Sequence, residues 1–329
     1  MSSTFHKSVT EKLQQARALK HPYPFDPTYG YDLEQLLAVP APAGPHDLRA
    51  FWSWSYNVTR ALPLSLRRHQ IESSRSDYDV YVVEFNSLGS MRIGGWLTVP
   101  KQGPIVHGLV IGHGYGGRTE PHFEPEAITI APCARGFNRS ARRDIPDEAF
   151  RHVLHGIEKR DDYSHRGCAA DLWSAASALL ELHPELAGKL DYAGTSFGGG
   201  IGALALPWDN RFRKAFLQVP SFGNHPLRLT LPCVGSGEAV RSYHRRHPEV
   251  LKVLEYFDAA TAARLIKIPV FGAPALFDPA VPPPGQFAIC NALGGTKKLF
   301  VHTAGHYSSP KEGEENEELE KQLYRWWRE

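Results

Sequence analysis

The chain has 329 residues, of which 42% are hydrophobic, 22% charged and 11% aromatic, enough apolar material for one large core. Its formal net charge of +2, with no long Lys/Arg block, argues against a dedicated nucleic-acid or anionic-membrane binder, which would carry a basic stripe. The N-terminus lacks the apolar run of a signal peptide and no stretch reaches the ~18 consecutive apolar residues of a membrane span, so the expected compartment is the cytoplasm. The sequons at Asn57 and Asn138 then read as chance. The cysteines Cys133, Cys168, Cys233 and Cys290 are scattered without a C-x-x-C pair. They read as buried free thiols, with neither a zinc site nor a disulfide framework indicated.

Residues 1–75, rich in Pro and aromatics, read as a helical and irregular extension packed on the core, and residues 76–329 as the main part of a single domain. Residues 78–87 alternate as a strand, and 92–100 follow as its hairpin partner. Residues 108–112 and 127–131 are buried strand candidates. Residues 171–182 place Leu172, Ala176, Leu179 and Leu180 on one helical face. A short strand at 190–193 leads into a small-residue helix at 200–206. Further strands are expected at 212–219, 268–277 and 299–303. At the C-terminus, Leu319, Leu323, Trp326 and Trp327 fall at the spacing of an amphipathic helix. Strands alternating with helices predict an α/β fold, with a mostly parallel sheet covered on both faces and chemistry at the strands' carboxyl ends.

The sharpest local signal is Gly194-Thr195-Ser196-Phe197-Gly198, set between a strand and a helix. That is the context of a nucleophile elbow, a strained turn that lifts a serine hydroxyl clear of the sheet. A serine hydroxyl needs a base, and the base needs a carboxylate to orient it. The α/β-hydrolase chain order of serine, acid, histidine is met downstream. The apolar strand 268–277 ends in Asp278, and the next strand is followed by Ala304-Gly305-His306. His302 is the nearest competitor for the base, but it lies inside the strand. An oxyanion hole needs two donors. The backbone N–H of Phe197 is one, and that of Tyr115, in the loop His113-Gly114-Tyr115 after an apolar strand, is the other. His113 reads as a structural turn residue. The glycines at 112, 114, 116 and 117 do not fit G-x-G-x-x-G, so no dinucleotide site is expected.

These motifs resemble the acetyl xylan esterase / cephalosporin C deacetylase family of α/β-hydrolases. The likeness runs through Tyr31 to Leu37, Asp47-Leu-Arg-Ala-Phe-Trp52, Ile93-Gly-Gly-Trp96, His113-Gly-Tyr-Gly116 and Glu255-Tyr-Phe-Asp258 with Ile268-Pro-Val270, then Asp278 to Pro283 and Phe287-Ala288. The resemblance implies Ser196, Asp278 and His306 as a triad, with Tyr115 and Phe197 as oxyanion donors. It also implies small acyl groups, especially acetyl, cleaved from sugar or other alcohols without cofactor or metal, by a homo-oligomer that is hexameric in well-known members. Tyr115 and Pro220 are expected to bound a small acyl pocket. Three residues depart from the family. Phe137 and Phe197 stand where it has Gln, and Tyr307 where it has Glu after the histidine. They are expected to make the pocket less polar. Competing readings are a peptidase of the same fold, ranked lower because no β-propeller-sized domain precedes the catalytic half, and a non-catalytic binding protein on a hydrolase scaffold.

Overall fold

The computed structural model describes residues 3–329. Its strands in chain order are β1 (Arg67–Ile71), β2 (Tyr78–Ser87), β3 (Met91–Pro100), β4 (His107–Gly112), β5 (Ala127–Pro132), β6 (Leu190–Thr195), β7 (Phe212–Gln218), β8 (Val270–Ala273), β9 (Ala275–Phe277), β10 (Lys297–Leu299) and β11 (His302–Ala304). Nine of them form one sheet in the order β1-β2-β3-β5-β4-β6-β7-β8-β10. The edge from β1 to β5 is antiparallel, and from β5 to β10 the sheet is parallel. The central strands are apolar runs buried on both faces, as parallel strands under two helical layers must be.

One face is covered by the helices Ser164–Leu182 and Phe197–Ala205, which pack Trp173, Leu179 and Ile201 into the main core. The other carries the C-terminal helix Glu312–Arg328, whose Leu319, Trp326 and Trp327 bury against Leu109, Phe216 and Phe271. Among the described residues, no helix is long and apolar enough to cross a membrane. The chain leaves β4 toward β5 on one side and returns to β6 on the other, so the crevice between β4 and β6 is the sheet's switch point.

The structure differs from the sequence reading in two places that matter for the site. The stretch 268–277 is two strands, because Pro274 has no N–H to continue the ladder. Its carbonyl instead accepts from His302 N at 2.9 Å. Likewise 299–303 is broken at Phe300 and Val301 between β10 and β11. The detached pieces β9 and β11 pair with each other in parallel, as a separate two-stranded ribbon. The N-terminal segment packs on the domain. It contains the helices Ser3–Arg17, Leu33–Ala38 and Leu48–Ala61 as well as β1, an edge strand of the main sheet. The second of these helices is opened by a capping box, with Gln35 N on Asp32 Oδ1 at 2.8 Å and Asp32 N on Gln35 Oε1 at 2.9 Å. The third buries Phe51 and Trp52, the latter edge-on to Trp173 at 6.1 Å.

Candidate active site

Ser196 sits between β6 and the helix Phe197–Ala205 with φ 57° and ψ −114°, a conformation that non-glycine residues hold only under constraint. The constraint is visible. Ser196 N donates to Gln218 O at 2.9 Å, and Ser196 O accepts from Gly200 N at 3.0 Å and Ser221 N at 3.1 Å. The flanking glycines make the turn possible sterically. A Cβ on Gly194 would lie 2.6 Å from Gly198 C, and one on Gly198 would lie 2.7 Å from Gly112 C. Helix, elbow and β4 therefore meet backbone to backbone.

The structure brings the three residues expected of a triad together. His306 Nε2 lies 2.8 Å from Ser196 Oγ, and His306 Nδ1 lies 2.7 Å from Asp278 Oδ2. They come from three strand ends: Ser196 follows β6, Asp278 follows β9 and His306 stands two residues beyond β11. Asp278 is fully buried, whereas the His306 side chain is 28% exposed, so the ring has one sealed edge and one open edge. Asp278 Oδ1 accepts from Ala280 N and Val281 N, each at 2.9 Å. Its Oδ2 accepts from His306 and from Gln286 Nε2, the latter at 2.8 Å.

Sequence reasoning missed Gln286, which lies on the helix Pro283–Ala292 and is wholly buried. Its Oε1 accepts from Ala275 N at 2.8 Å, which fixes the amide's orientation, and its Nε2 also donates to Val281 O at 2.7 Å. No motif marks it. Only the presence of a glutamine in the mostly apolar first turns of the helix after the Asp278 turn could have drawn attention to it.

Burial raises the Asp278 pKa above the ordinary carboxylate value, against the His306 charge and the hydrogen bonds that favour the anion. For His306, burial pushes the imidazole down, but the Asp278 charge and hydrogen bond outweigh it and leave the pKa above the usual histidine value.

The loop after β4, expected to hold the second oxyanion donor, runs beside Ser196. A Cβ on Gly114 would be 3.9 Å from Ser196 Cβ, which puts the adjoining Tyr115 backbone beside the serine. Phe197 is the first residue of its helix, so its N–H has no partner four residues back. The Tyr115 ring, expected to wall an acyl pocket, instead lies on Phe197 at 4.2 Å, with its hydroxyl 3.1 Å from His165 Nε2. Pro220 is buried behind the elbow helix, 3.0 Å from where a Gly199 Cβ would be. Phe137 and Phe197 do not open an apolar pocket, because both rings are buried in an aromatic cluster with His113 and His152. Tyr307 borders the cleft beside His306, and its hydroxyl donates to Lys20 O at 2.6 Å. His113 is buried. It accepts from Ala134 N at 2.9 Å through Nε2, so Nδ1–H faces Gly114 O at 2.6 Å. His302 is buried and faces Gln218 and Glu315, not Ser196. A cleft of about 770 Å³ borders His306, lined largely by polar side chains that include Thr195, Gln218, His302, Ser308, Ser309 and Asn316.

This fold recurs in solved structures. Acetyl xylan esterase 1 from Thermoanaerobacterium sp. JW/SL YS485 superposes with a TM-score of 0.78 at 21% identity, over 91% of this chain and 100% of that one. The acetyl xylan esterase from Paenibacillus sp. R4 gives 0.75 at 20% identity, over 90% and 99%. Acylaminoacyl peptidase from Pyrococcus horikoshii gives 0.57 at 13% identity, over 84% of this chain but 43% of that one. The structural matches speak to the fold, and the sequence decides the family. A sequence model of the acetyl xylan esterase family matches residues 31–328, from the second helix through the C-terminal one, so the chain belongs to that family.

Proposed function

We propose that the chain is a serine carboxylic ester hydrolase that removes small acyl groups, acetyl foremost, from sugar or other alcohols through an acyl-enzyme. The observation that carries this reading is the unbroken hydrogen-bond line from Ser196 Oγ through His306 to Asp278, at 2.8 and 2.7 Å, with the serine on a strained elbow. In this reading His306 Nε2 takes the Ser196 proton as Oγ attacks the ester carbonyl. The Tyr115 and Phe197 N–H groups hold the oxyanion of the tetrahedral intermediate, and His306 returns the proton to the departing alcohol. Water then repeats the sequence on the acyl-serine and releases the carboxylic acid. Asp278 remains ionised throughout and stabilises the imidazolium.

The polar lining of the cleft beside His306 and the inward packing of Phe137 and Phe197 favour a polar alcohol and a short acyl group. A long alkyl chain there would desolvate polar groups without pairing them. Across p-nitrophenyl esters, acetyl should be cleaved faster than butyryl, and octanoyl barely at all. A rate rising steadily with chain length would reject the small-acyl assignment and leave the serine mechanism standing.

Ser196→Ala should fold normally and lose roughly 10⁴- to 10⁶-fold in turnover, as removal of a triad member does. A variant retaining a tenth of the wild-type rate would rule Ser196 out as nucleophile.

The base must be neutral to accept a proton, and the His306 pKa is raised. Activity should therefore be full at alkaline pH and fall as pH drops through a value above the ordinary imidazole's, about 6.5. A kcat/KM profile flat down to pH ~5 would assign the base elsewhere.

Gln286→Leu should lower kcat by roughly 10- to 100-fold with KM nearly unchanged, because the carboxylate loses the donor that fixes its rotamer. Its uncompensated charge should also pull the His306 pKa, and the acid limb of the profile, upward. An unshifted limb with wild-type kcat would show Gln286 to be a packing residue only.

A further inference from the structure

Residues 3–30 lie outside the stretch that matches the family, yet they are bonded to the two strand ends that present Asp278 and His306. Val9, Leu13 and Ala16 of the first helix bury against Leu276 and Phe277 of β9 and against Val301 before β11. Lys12 Nζ donates to Val301 O at 2.8 Å and pairs with Glu315 Oε1 at 3.0 Å. Glu315, in the C-terminal helix and 8% exposed, accepts from Thr303 N at 3.0 Å and from Thr303 Oγ1 at 2.6 Å, three residues before His306. Further along, Pro27 O accepts from Asp278 N at 3.1 Å, and Lys20 O accepts from the hydroxyl of Tyr307, the residue after His306.

Two physical facts make these contacts more than decoration. A two-stranded ribbon of three-residue strands has no stability of its own, so β9 and β11 hold their place only by what packs on them. A buried carboxylate without its cation is costly, and Lys12 is the ammonium that meets Glu315 where it grips Thr303. The departure at Tyr307 also acquires a reason. Its phenol reaches the N-terminal segment, and its ring packs on Phe277 at 5.1 Å and on Tyr23 at 6.0 Å.

We propose that residues 3–30 are a positioning element that this chain adds to the family domain. The segment braces the β9–β11 ribbon so that Asp278 and His306 stay in register with Ser196, and it contributes no reacting atom. The inference rests on the triad reading above.

The test uses the full-length chain carrying Lys12→Met, Lys12→Arg or Tyr307→Phe, assayed on p-nitrophenyl acetate well below the unfolding temperature. Each is also titrated with a serine-reactive phosphonate. Lys12→Met should lower kcat roughly tenfold with KM within about twofold, slow phosphonylation by the same factor, and be largely rescued by Lys12→Arg. Tyr307→Phe removes one hydroxyl and keeps the ring, so it should fold and lose several-fold in kcat. A Lys12→Met protein that melts earlier but turns over at the wild-type rate while folded would overturn the proposal. If Lys12→Met does not fold, an unchanged kcat in Tyr307→Phe overturns it alone. An active Ser196→Ala would instead sink the triad reading, so the two failures are distinguishable.

Discussion

A carboxylate with no exposure to water has to be surrounded by donors, and the local structure around Asp278 meets that requirement. Two donors are backbone N–H groups of its own turn, at Ala280 and Val281; one is the Gln286 amide; the last is the His306 ring. Each needs a particular stretch of chain. The turn follows Pro279, the amide needs the helix Pro283–Ala292 to start at once, and the ring needs β11 to rise beside β9. The proline at 274 links these requirements. By ending β8 it frees the next three residues to leave the main sheet and pair with β11, lifting Asp278 and His306 above the carboxyl edge where Ser196 stands.

The serine is brought to meet them by a different kind of constraint. Backbone strain of the type seen at Ser196 costs on the order of 1–3 kcal/mol, and it persists only where surrounding bonds over-determine it. Here three backbone hydrogen bonds converge on one residue, and Gly112, Gly194 and Gly198 close the space around it. Because Gly112 and Gly194 are partners in the β4–β6 register, the close approach is set by the sheet itself. The loop after β4 and the elbow thus leave the same rung of the ladder.

Much of this was legible in the sequence because it rests on local rules. A glycine-flanked serine between strand and helix, an aspartate at the end of an apolar run, and a histidine after the next run each carry a steric or positional signature. What escaped was what depends on tertiary context. The reading of 268–277 as one strand counted apolar residues and gave too little weight to Pro274. The helix Ser3–Arg17 carries Phe5, Val9, Leu13 and Ala16 at helical spacing, a signal that was present but overshadowed by the proline-rich stretch after it. Phe137 and Phe197 were expected to colour the pocket, but side-chain direction decides that, and both point into the core. Gln286 was invisible, since a glutamine acquires meaning only from the carboxylate it faces.

The chain's 16 histidines share one side-chain chemistry, and their surroundings separate them. Burial drives His113 down to about 4 and His152 to about 3, where each stays neutral and serves as a fixed hydrogen-bonding group for the backbone at Ala134 and Arg135. His165 is pushed well below the usual value by the same cause and meets the Tyr115 hydroxyl. A ring that is merely buried becomes too weak a base, and a ring that is merely exposed keeps its ordinary pKa and has nothing to fix its orientation. His306 escapes both outcomes because its two nitrogens face different media, one on an anion sealed from water and the other on the serine at the cleft. That asymmetry requires the acid to be more buried than the base. It explains why Asp278 is enclosed by its turn, by Gln286 and by the N-terminal segment while the ring beside it remains open.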